Sequence, residues 1–365
     1  MSWRETTLGE ITDLKRGFDL PKSQRLQGDV PVYSSSGITG SNSTAAVEGP
    51  CVITGRCGTI GEVFFSGGPC WPLNTALYST EFNGNNPRFI YYLLQTIPWQ
   101  GYTTASAVPG VNRNHVNLCP VKIPDRATQD AIVEVLDSIV DKIALNNRLN
   151  DYLEQLVDGK FQELFGGLNF NATLSDVAEI TMGQSPAGSS YNEEGAGIIF
   201  YQGRGEFGWR FPKRRLYTTE PKRLACEGDV LMSVRAPVGD LNVAFENCCI
   251  GRGLAAIHSE TPSFALYLMR FLKPQLEAYN GEGTVFGSIN GKALKSLEVA
   301  LPSHNEVMQF ESFAAPIDAL IRSNENETRK LNNLRNYLLP KLMSGEIDVS
   351  KVDLTQLTNN HLAGC

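Results

Sequence analysis

The sequence lacks the features that would place it among membrane proteins or metalloproteins. No apolar run approaches the length of a transmembrane helix, and the first residues, MSWRETTLGEI, contain no apolar stretch like that of a signal peptide. Eight cysteines occur without a Cys-x-x-Cys pair, and the four histidines are scattered along the chain. This spacing argues against zinc binding, so we expect no metal site, free thiols and a cytoplasmic location.

A recognisable catalytic motif is also missing. Gly203, Gly205 and Gly208 have the spacing of a dinucleotide-binding fingerprint, but a Trp-Arg-Phe-Pro segment follows them where that motif opens a helix. The segment around Lys292 is not a phosphate-binding loop, because Ala293 cannot ligate magnesium. No Asn-Pro-Pro-aromatic or Asp-Pro-Pro-aromatic tetrapeptide of an amino-methyltransferase occurs. We therefore expect no catalytic residue and no cofactor in this chain.

Charge is scarce and unevenly distributed. Only 19% of the residues are charged, and the net charge is −7. Residues 1–124 contain nine basic and eight acidic residues, and residues 174–303 contain thirteen and fourteen. Residues 125–173 contain four and nine, and residues 304–365 contain six and eight, so these two segments together carry the whole net charge. Because such acidic segments would repel DNA, we expect them to face protein.

What the sequence does contain is a long amphipathic segment at residues 127–164. Its apolar residues recur mostly at alternating intervals of three and four, which is typical of a coiled-coil-like helix, although Asn146, Asn147 and Asn150 interrupt the pattern. The predicted stripe comprises Ile132, Leu136, Ile139, Ile143, Leu149, Leu153, Leu156 and Leu164. At 1.5 Å per residue the helix would be roughly 57 Å long, more than a globular core needs, and this length predicts a spacer.

From residue 174 the pattern of the chain begins again. LGEITDLKRG at residue 8 corresponds to LSDVAEITMG at residue 174, RFIYYLLQ corresponds to FALYLMRF, and Arg56 aligns with Arg235. A second long segment, 303–342, opens with a capping box formed by Ser303 and Glu306, while Pro316 and Pro340 are expected to kink or end the helix. Its stripe comprises Phe310, Phe313, Ile317, Leu320, Ile321, Leu331, Leu334 and Leu338.

The repeat predicts an α+β architecture. Two strand-rich α/β domains, related by a pseudo-two-fold axis, would be separated by two long antiparallel helices. The predicted segments are residues 1–124 and 168–302 for the domains, 125–167 and 303–345 for the helices, and 346–365 for a tail. The helices are expected to pack through Ile132, Leu136, Ile139, Ile143, Leu153, Leu156, Ile317, Ile321, Leu331, Leu334 and Leu338.

Two similar domains related by a two-fold axis suit duplex DNA, which has local two-fold axes of its own. The clearest candidate interface is segment 201–215, which is basic, aromatic and rich in glycine. Arg56 and Arg235 are either DNA contacts or parts of equivalent structural turns, and the asparagine-rich segment 108–117 either contacts DNA or forms an ordinary turn. The candidate DNA-binding residues are Arg56, Asn112, Arg113, Asn114, His115, Gln202, Arg204, Arg210, Lys213, Arg214, Arg215, Arg235, Asn290 and Lys292.

Taken together, these features resemble a known family over essentially the whole chain. The similar stretches are LGEI near the start, VKIP and VALP before the two long segments, and QDAIVEVLDSIVDKIALNN in the first of them. The most specific is LNNLRNYLLPKLMSGEIDVS at residues 331–350. The chain is similar to the specificity (S) subunit of type I restriction–modification enzymes.

The resemblance implies a non-catalytic DNA-binding subunit without a membrane association. It would recognise a bipartite target on double-stranded DNA, one half per recognition domain, in complex with two methyltransferase (M) subunits that bring S-adenosylmethionine. Two restriction (R) subunits that use ATP and Mg²⁺ would join for cleavage, and the helices would set the gap and dock the M subunits. Two alternatives stay open: a fused or related restriction or methyltransferase enzyme with a cryptic active site, and a tandem scaffold that does not bind DNA.

Overall fold

The computed structural model describes residues 3–103, 110–281 and 287–352. The described chain divides into two compact units: the first comprises residues up to 146 together with those from 327 onward, and the second comprises residues 147–326. Parts of the predicted segments 108–117 and 346–365 therefore lie outside the described residues. Each unit contains one segment of each of two long helices, so both units are built on the same pair of elements.

The helices are α1 (Leu8–Ile11), α2 (Pro87–Leu94), α3 (Arg113–Val116), α4 (Arg126–Phe165), α5 (Pro262–Phe271), α6 (Lys273–Glu277), α7 (Gly291–Lys295) and α8 (His304–Ser344). The strands of the first unit are β1 (Trp3–Thr7), β2 (Lys15–Arg16), β3 (Val30–Ser34), β4 (Gly37–Asn42), β5 (Cys51–Gly55), β6 (Val63–Ser66), β7 (Trp71–Pro72), β8 (Ala76–Ser79) and β9 (Pro120–Pro124). Those of the second unit are β10 (Ala172–Thr173), β11 (Glu179–Met182), β12 (Tyr191–Asn192), β13 (Ile198–Tyr201), β14 (Tyr217–Thr218), β15 (Leu224–Ala225), β16 (Val230–Ser233), β17 (Leu241–Val243), β18 (Cys248–Ile250), β19 (Leu254–His258) and β20 (Glu298–Val299).

The two units contain sheets with the same strand order. In the first unit a four-stranded antiparallel sheet has the order β2-β8-β5-β6, and in the second the order is β11-β19-β16-β17, which is the same topology one repeat later. A two-stranded antiparallel ribbon accompanies each sheet, β1 with β9 and β10 with β20. The internal repeat seen in the sequence is thus a repeat of supersecondary structure, and the predicted α+β class is confirmed.

The largest hydrophobic core of each unit includes both long helices. In the first unit Ile132 and Leu136 of α4 share a core with Leu338 and Leu342 of α8 and with α2. In the second unit a cluster of phenylalanines, Phe161 and Phe165 of α4, Phe264 of α5 and Phe310 of α8, packs edge to face. Within each unit the paired segments run antiparallel, as predicted. Among the described residues, no helix has an apolar stretch sufficient to cross a membrane.

The packing face of α4 differs from the predicted stripe after Ile143. Asn146 and Asn150 are buried and belong to the packed face, which continues through the half-buried Leu153 to Val157. The predicted packing residue Leu156 is 54% exposed and lies on the outer face, so this prediction is wrong. The reason is that the three-and-four spacing runs through the buried asparagines, whereas apolar character alone favoured the leucines beside them. The other ten predicted packing residues are buried or partly buried against the cores or the facing helix.

The second helix continues through both prolines. Ser303 and Glu306 form the predicted capping box, with the Ser303 backbone N–H and hydroxyl both donating to the Glu306 carboxylate at 2.8 and 2.7 Å. From there α8 is unbroken to Ser344, so of the two effects expected of Pro316 and Pro340, a kink or an end of the helix, the end is contradicted. Both prolines lie on the exposed face, where the carbonyls that lose a donor can be hydrated.

The corrected packing face can be tested with one substitution at two positions. Leu136→Ala removes a fully buried side chain and should lower the free energy of unfolding by about 2 to 5 kcal/mol, because it leaves a cavity. Leu156→Ala, on the exposed face of the same helix, should change it by no more than about 0.5 kcal/mol. Urea denaturation followed by circular dichroism measures both changes. Equal decreases in the free energy of unfolding at the two positions would support the originally predicted stripe.

Candidate nucleic-acid interface

Three turns of the second unit meet around a polar depression of about 200 Å³. The turns follow β13, β16 and β18, and they contribute Gln202, Arg235 and Arg252. Backbone hydrogen bonds hold them together: Gly251 N–H donates to Tyr201 O at 2.9 Å, and Val234 N–H donates to Gly253 O at 2.9 Å. A Cβ at position 251 would lie 2.8 Å from the backbone oxygen of Gln202, so glycine permits this close approach.

The side chains around this depression have the chemistry of nucleic-acid recognition. Gln202, Arg204, Arg235 and Arg252 are all exposed, and Ser185 completes the polar wall. Arg204 is paired with Asp240 at 2.6 Å, whereas no described carboxylate pairs with Arg235 or Arg252. Arginine can donate two hydrogen bonds to guanine or bind phosphate, and glutamine can pair with adenine. The structure thus brings together three predicted residues from two separate segments of the chain, Gln202 and Arg204 with Arg235.

Arg252 is the residue that sequence reasoning missed. It lies between Gly251 and Gly253 in the short turn from β18 to β19, directly after a buried strand. The same signal, an arginine next to glycine at the end of an apolar strand, was recognised at Arg56 and could have identified Arg252 as well. Its position in the depression places beside Arg235 a second cation that pairs with no described carboxylate.

The predicted residues Asn290 and Lys292 lie on the turn that follows this site along the chain. Ile289 N–H donates to Val234 O at 3.1 Å, and Arg235 forms an isolated bridge with Ser288, so the turn is held against the strand end. Asn290 caps α7, because its side chain accepts a hydrogen bond from Ala293 N–H at 2.9 Å. Lys292 lines a separate depression of about 780 Å³. Two further cations, Lys295 and Arg223, line that depression.

The basic run at residues 213–215 is exposed but partly neutralised. Arg214 pairs with Glu246 at 2.5 Å, and Arg215 pairs with Glu206 at 2.7 Å. The hydrogen bond that Arg215 donates to Glu206 raises the pKa of Arg215 above its ordinary value. Lys213 is exposed, and no described carboxylate pairs with it. These residues stay candidates for phosphate contacts, with Lys213 the least engaged of the three.

Arg210 is placed where it cannot contact DNA, which contradicts its predicted role. Its side chain is 4% exposed and donates to Asp318 at 2.9 Å, to Glu154 at 3.2 Å and to the Tyr267 hydroxyl at 3.0 Å. Burial by itself lowers the pKa of the Arg210 guanidinium, but Tyr267 and the two carboxylates outweigh that effect and keep it charged.

Arg270 enlarges this buried cluster. It pairs with Glu154 at 2.9 Å and with Asp158 at 2.6 Å, while the Tyr267 hydroxyl donates to Asp318 at 3.1 Å. Glu154 and Asp158 belong to α4, Asp318 belongs to α8, and the cations come from the strand-rich part of the unit. The cluster therefore fixes that part to both long helices.

The first unit repeats the arrangement of turns with different side chains. Val111 N–H donates to Arg56 O at 2.8 Å, so the turn at Arg56 and the segment beginning at Asn112 lie side by side. Arg56 is half-buried and donates to Asn74 O at 2.8 Å, which favours the structural interpretation of this arginine. Asn112 caps α3 by accepting from Asn114 N–H at 3.0 Å, so the predicted loop is a short helix. Arg113, Asn114 and His115 are exposed on that helix.

One cluster of potential metal ligands is present among the described residues. A ligand atom each of Cys226, Asp229 and His258 lies within 4.8 Å of the others. Both Asp229 oxygens already accept hydrogen bonds, from His258 Nδ1 at 2.6 Å and from Cys226 N–H at 2.7 Å. Asp229 thereby raises the pKa of His258. Because the carboxylate is satisfied by these donors, the cluster is accounted for as a turn cap with an ion pair.

Both halves of the chain are similar to a known protein family. A family model described as the type I restriction modification DNA specificity domain matches twice, at residues 1–155 and 171–336. The putative type I restriction enzyme MjaX specificity subunit of Methanocaldococcus jannaschii is 30% identical and covers 94% of this chain and 84% of its own length. The MjaIX specificity subunit of the same organism is 21% identical over 72% of this chain and 70% of its own.

A similar fold has been solved by crystallography. The S subunit of a type I restriction–modification system from M. genitalium matches with a TM-score of 0.67 at 15% identity, covering 94% of this chain and 96% of that one. At this identity the likeness concerns the fold alone.

The structural role of Arg210 can be separated from DNA binding. Arg210→Met leaves Glu154 and Asp318 buried without their guanidinium and should destabilise the protein by about 3 to 5 kcal/mol. Lys213→Met, three residues along the chain at an exposed position, should leave the melting temperature unchanged. Differential scanning fluorimetry gives both values. A wild-type melting temperature for the Arg210 variant would contradict the structural role.

Proposed function

The chain belongs to the family of type I restriction–modification DNA specificity subunits, and we propose that each of its two units recognises one half of a bipartite DNA target. The observation that carries this proposal is the depression formed by Gln202, Arg235 and Arg252. Its donors are exposed, two of its cations have no described carboxylate partner, and base-edge contacts need donors on turns that can enter a groove. In the first unit the exposed Arg113, Asn114 and His115 would make the corresponding contacts with DNA.

Subunits of this family recognise DNA without catalysing a reaction. The methylation and cleavage reactions would be carried out by partner subunits. We propose that two methyltransferase subunits bring S-adenosylmethionine and that two restriction subunits bring ATP and Mg²⁺. Adenine methylation requires the base to leave the helical stack, so the pocket for the flipped adenine would lie on a methyltransferase subunit. This chain would supply the affinity for one sequence and the placement of its partners.

A surface for such a partner is present on α4 within the second unit. Leu149, Tyr152 and Leu156 are 39%, 62% and 54% exposed and follow one another at intervals of three and four. This spacing places them on one helical face, beside the packed seam that contains Asn150. Neighbouring exposed positions include Asp151, in keeping with the acidic character of the segment. We propose that a methyltransferase subunit docks here through an apolar surface with basic flanks.

The DNA interface is tested by removing its three donors together. The triple variant Gln202→Ala, Arg235→Ala, Arg252→Ala should weaken binding of target DNA by the complex with methyltransferase at least 100-fold, because each good base contact is worth about 1 to 3 kcal/mol. If the arginines contact phosphates, the slope of log affinity against log salt should fall by about two. Fluorescence anisotropy over a salt series measures both effects.

Two further measurements complete this test. The matched control is Lys273→Ala, an exposed cation on α6 of the same unit, which should bind like wild type. The target itself is found by mapping methylated adenines in a host genome with and without this chain, which shows both half-sites and their gap. Unchanged affinity and salt slope in the triple variant would remove the depression from the interface, and a wild-type complex that binds no DNA would favour the scaffold alternative.

The docking surface is tested by making it polar. Leu149→Ser, Tyr152→Ser and Leu156→Ser together should lower the affinity for the methyltransferase subunit more than tenfold while the free chain keeps its circular dichroism spectrum, since all three side chains are exposed. The control is Leu168→Ser with Phe170→Ser, two exposed apolar positions beyond α4. Isothermal titration calorimetry compares the variants, and equal affinities in both would refute this docking site.

A further inference from the structure

The packed seam between α4 and α8 contains buried amides in each unit. In the second unit Asn324 Nδ2 donates to Asn150 Oδ1 at 2.8 Å, and Asn150 Nδ2 donates to Glu325 at 3.3 Å. Asn150 is 1% exposed and Asn324 is 8% exposed, so this pair is shielded from water. Towards the C-terminus of α4 the seam next to this pair is apolar, with Val157 on α4 and Ile321 on α8.

The first unit has a polar layer of its own in the same seam. Asn146 Nδ2 donates to Glu327 at 2.8 Å and to the Thr328 hydroxyl at 3.4 Å. Lys142 pairs with Glu327 at 3.3 Å and balances its charge. Asn146 is 2% exposed, so this amide too depends on its protein partners.

The two layers are equivalent in the internal repeat. Under the offset of about 178 residues that relates the halves, Asn146 corresponds to Asn324 and Asn150 corresponds to Thr328. In each layer the asparagine of one repeat, Asn146 or Asn324, contacts a residue of the other repeat, Thr328 or Asn150. That residue lies four positions beyond the equivalent asparagine. A device that occurs once per repeat and bonds across the two helices points to a role in how the helices pair.

Buried polar layers make the seam between the helices less stable than an apolar seam would be. Their function therefore lies in the specificity of helix pairing. Burying an amide is unfavourable unless every polar atom is paired, and leucine at these positions would give a more stable seam. A slip by one heptad keeps apolar residues opposite one another along most of an antiparallel pair. It would place Asn150 opposite Ile317 with its amide unpaired, so the polar layer penalises the slipped register and leaves the native one favoured.

We propose that these layers, Asn150 with Asn324 and Asn146 with Thr328, fix the register in which α4 and α8 pack and thereby the gap between the two half-sites. The part that concerns the gap rests on the proposed function. A slip of one heptad displaces the helices by about 10 Å, which corresponds to about three base pairs of duplex DNA.

The register is measured on the free chain by distances between spin labels. Labels at Gln155 on α4 and Ser323 on α8, both exposed and both in the second unit, report on the pairing there. The background replaces Cys57, Cys226 and Cys365 with serine so that only the introduced cysteines react. Wild type should give one narrow distance distribution. Asn146→Leu, Asn150→Leu and Asn324→Leu together remove the asparagines of both layers and should add a second population displaced by about 10 Å.

A matched control and a second variant keep the result interpretable. Asn147→Leu with Asn326→Leu places the same substitutions at exposed positions of the same helices, and the single distribution should persist. The variant with alanine instead of leucine at Asn146, Asn150 and Asn324 serves if the leucines overfill the seam, and it should show the second population as well. A single wild-type distance in both test variants overturns the proposal. So does unfolding without a second register, because the layer would then serve stability only.

The consequence for DNA is measured separately. In complex with the methyltransferase subunit, wild type should methylate only targets with the native gap, and the leucine variant should also methylate targets whose gap differs by about three base pairs. Unchanged gap selectivity in a variant with two registers overturns the link between register and gap. If the wild-type complex binds no DNA, the proposed function is wrong. The distance measurement on the free chain would still test the role of the layers in the register.

Discussion

The packing of α4 against α8 is the interaction on which both units depend. Neither strand-rich part closes its core alone: α2 of the first unit packs on Ile132 and Leu136, and α5 of the second packs on Phe161 and Phe310. Because the helix segments belong to the cores, they are not linkers between finished domains. Any change in how the two helices pair would therefore require side chains in these cores to repack.

Ion pairs restrict the orientation in which the strand-rich parts pack on these helices. In the second unit Arg210 and Arg270 hold carboxylates of α4 and α8 at once, and in the first unit Arg88 of α2 bonds to Asp137 of α4. A buried ion pair contributes little net stability but is costly to break, so it penalises every orientation except one. Four carboxylates of the two helices pair with these internal arginines. The acidic segments identified in the sequence thus serve intramolecular contacts as well as any partner.

The sequence predicted the fold better than the site, and the reason is physical. Periodicity is a local property, so the amphipathic segment 127–164 lies within one residue of the bounds of α4 at each end. The roles of arginines depend on partners far along the chain. Arg210 looked like its basic neighbours, but the carboxylates that bury it lie 56 and 108 residues away. Likewise, the burial of Asn150 depends on Asn324, which is 174 residues distant.

The comparison of Arg56 with Arg235 shows how a repeated scaffold can support two different surfaces. Both follow equivalent strands and both turns are bridged to the next functional segment, yet Arg56 is anchored to a backbone carbonyl while Arg235 is exposed and unpaired among the described carboxylates. The backbone is repeated because the helix pair requires two similar cores. The side chains on the turns bear no such requirement, since they contribute little to packing. They are free to differ, and two units that present different donors are suited to a target whose halves differ in sequence.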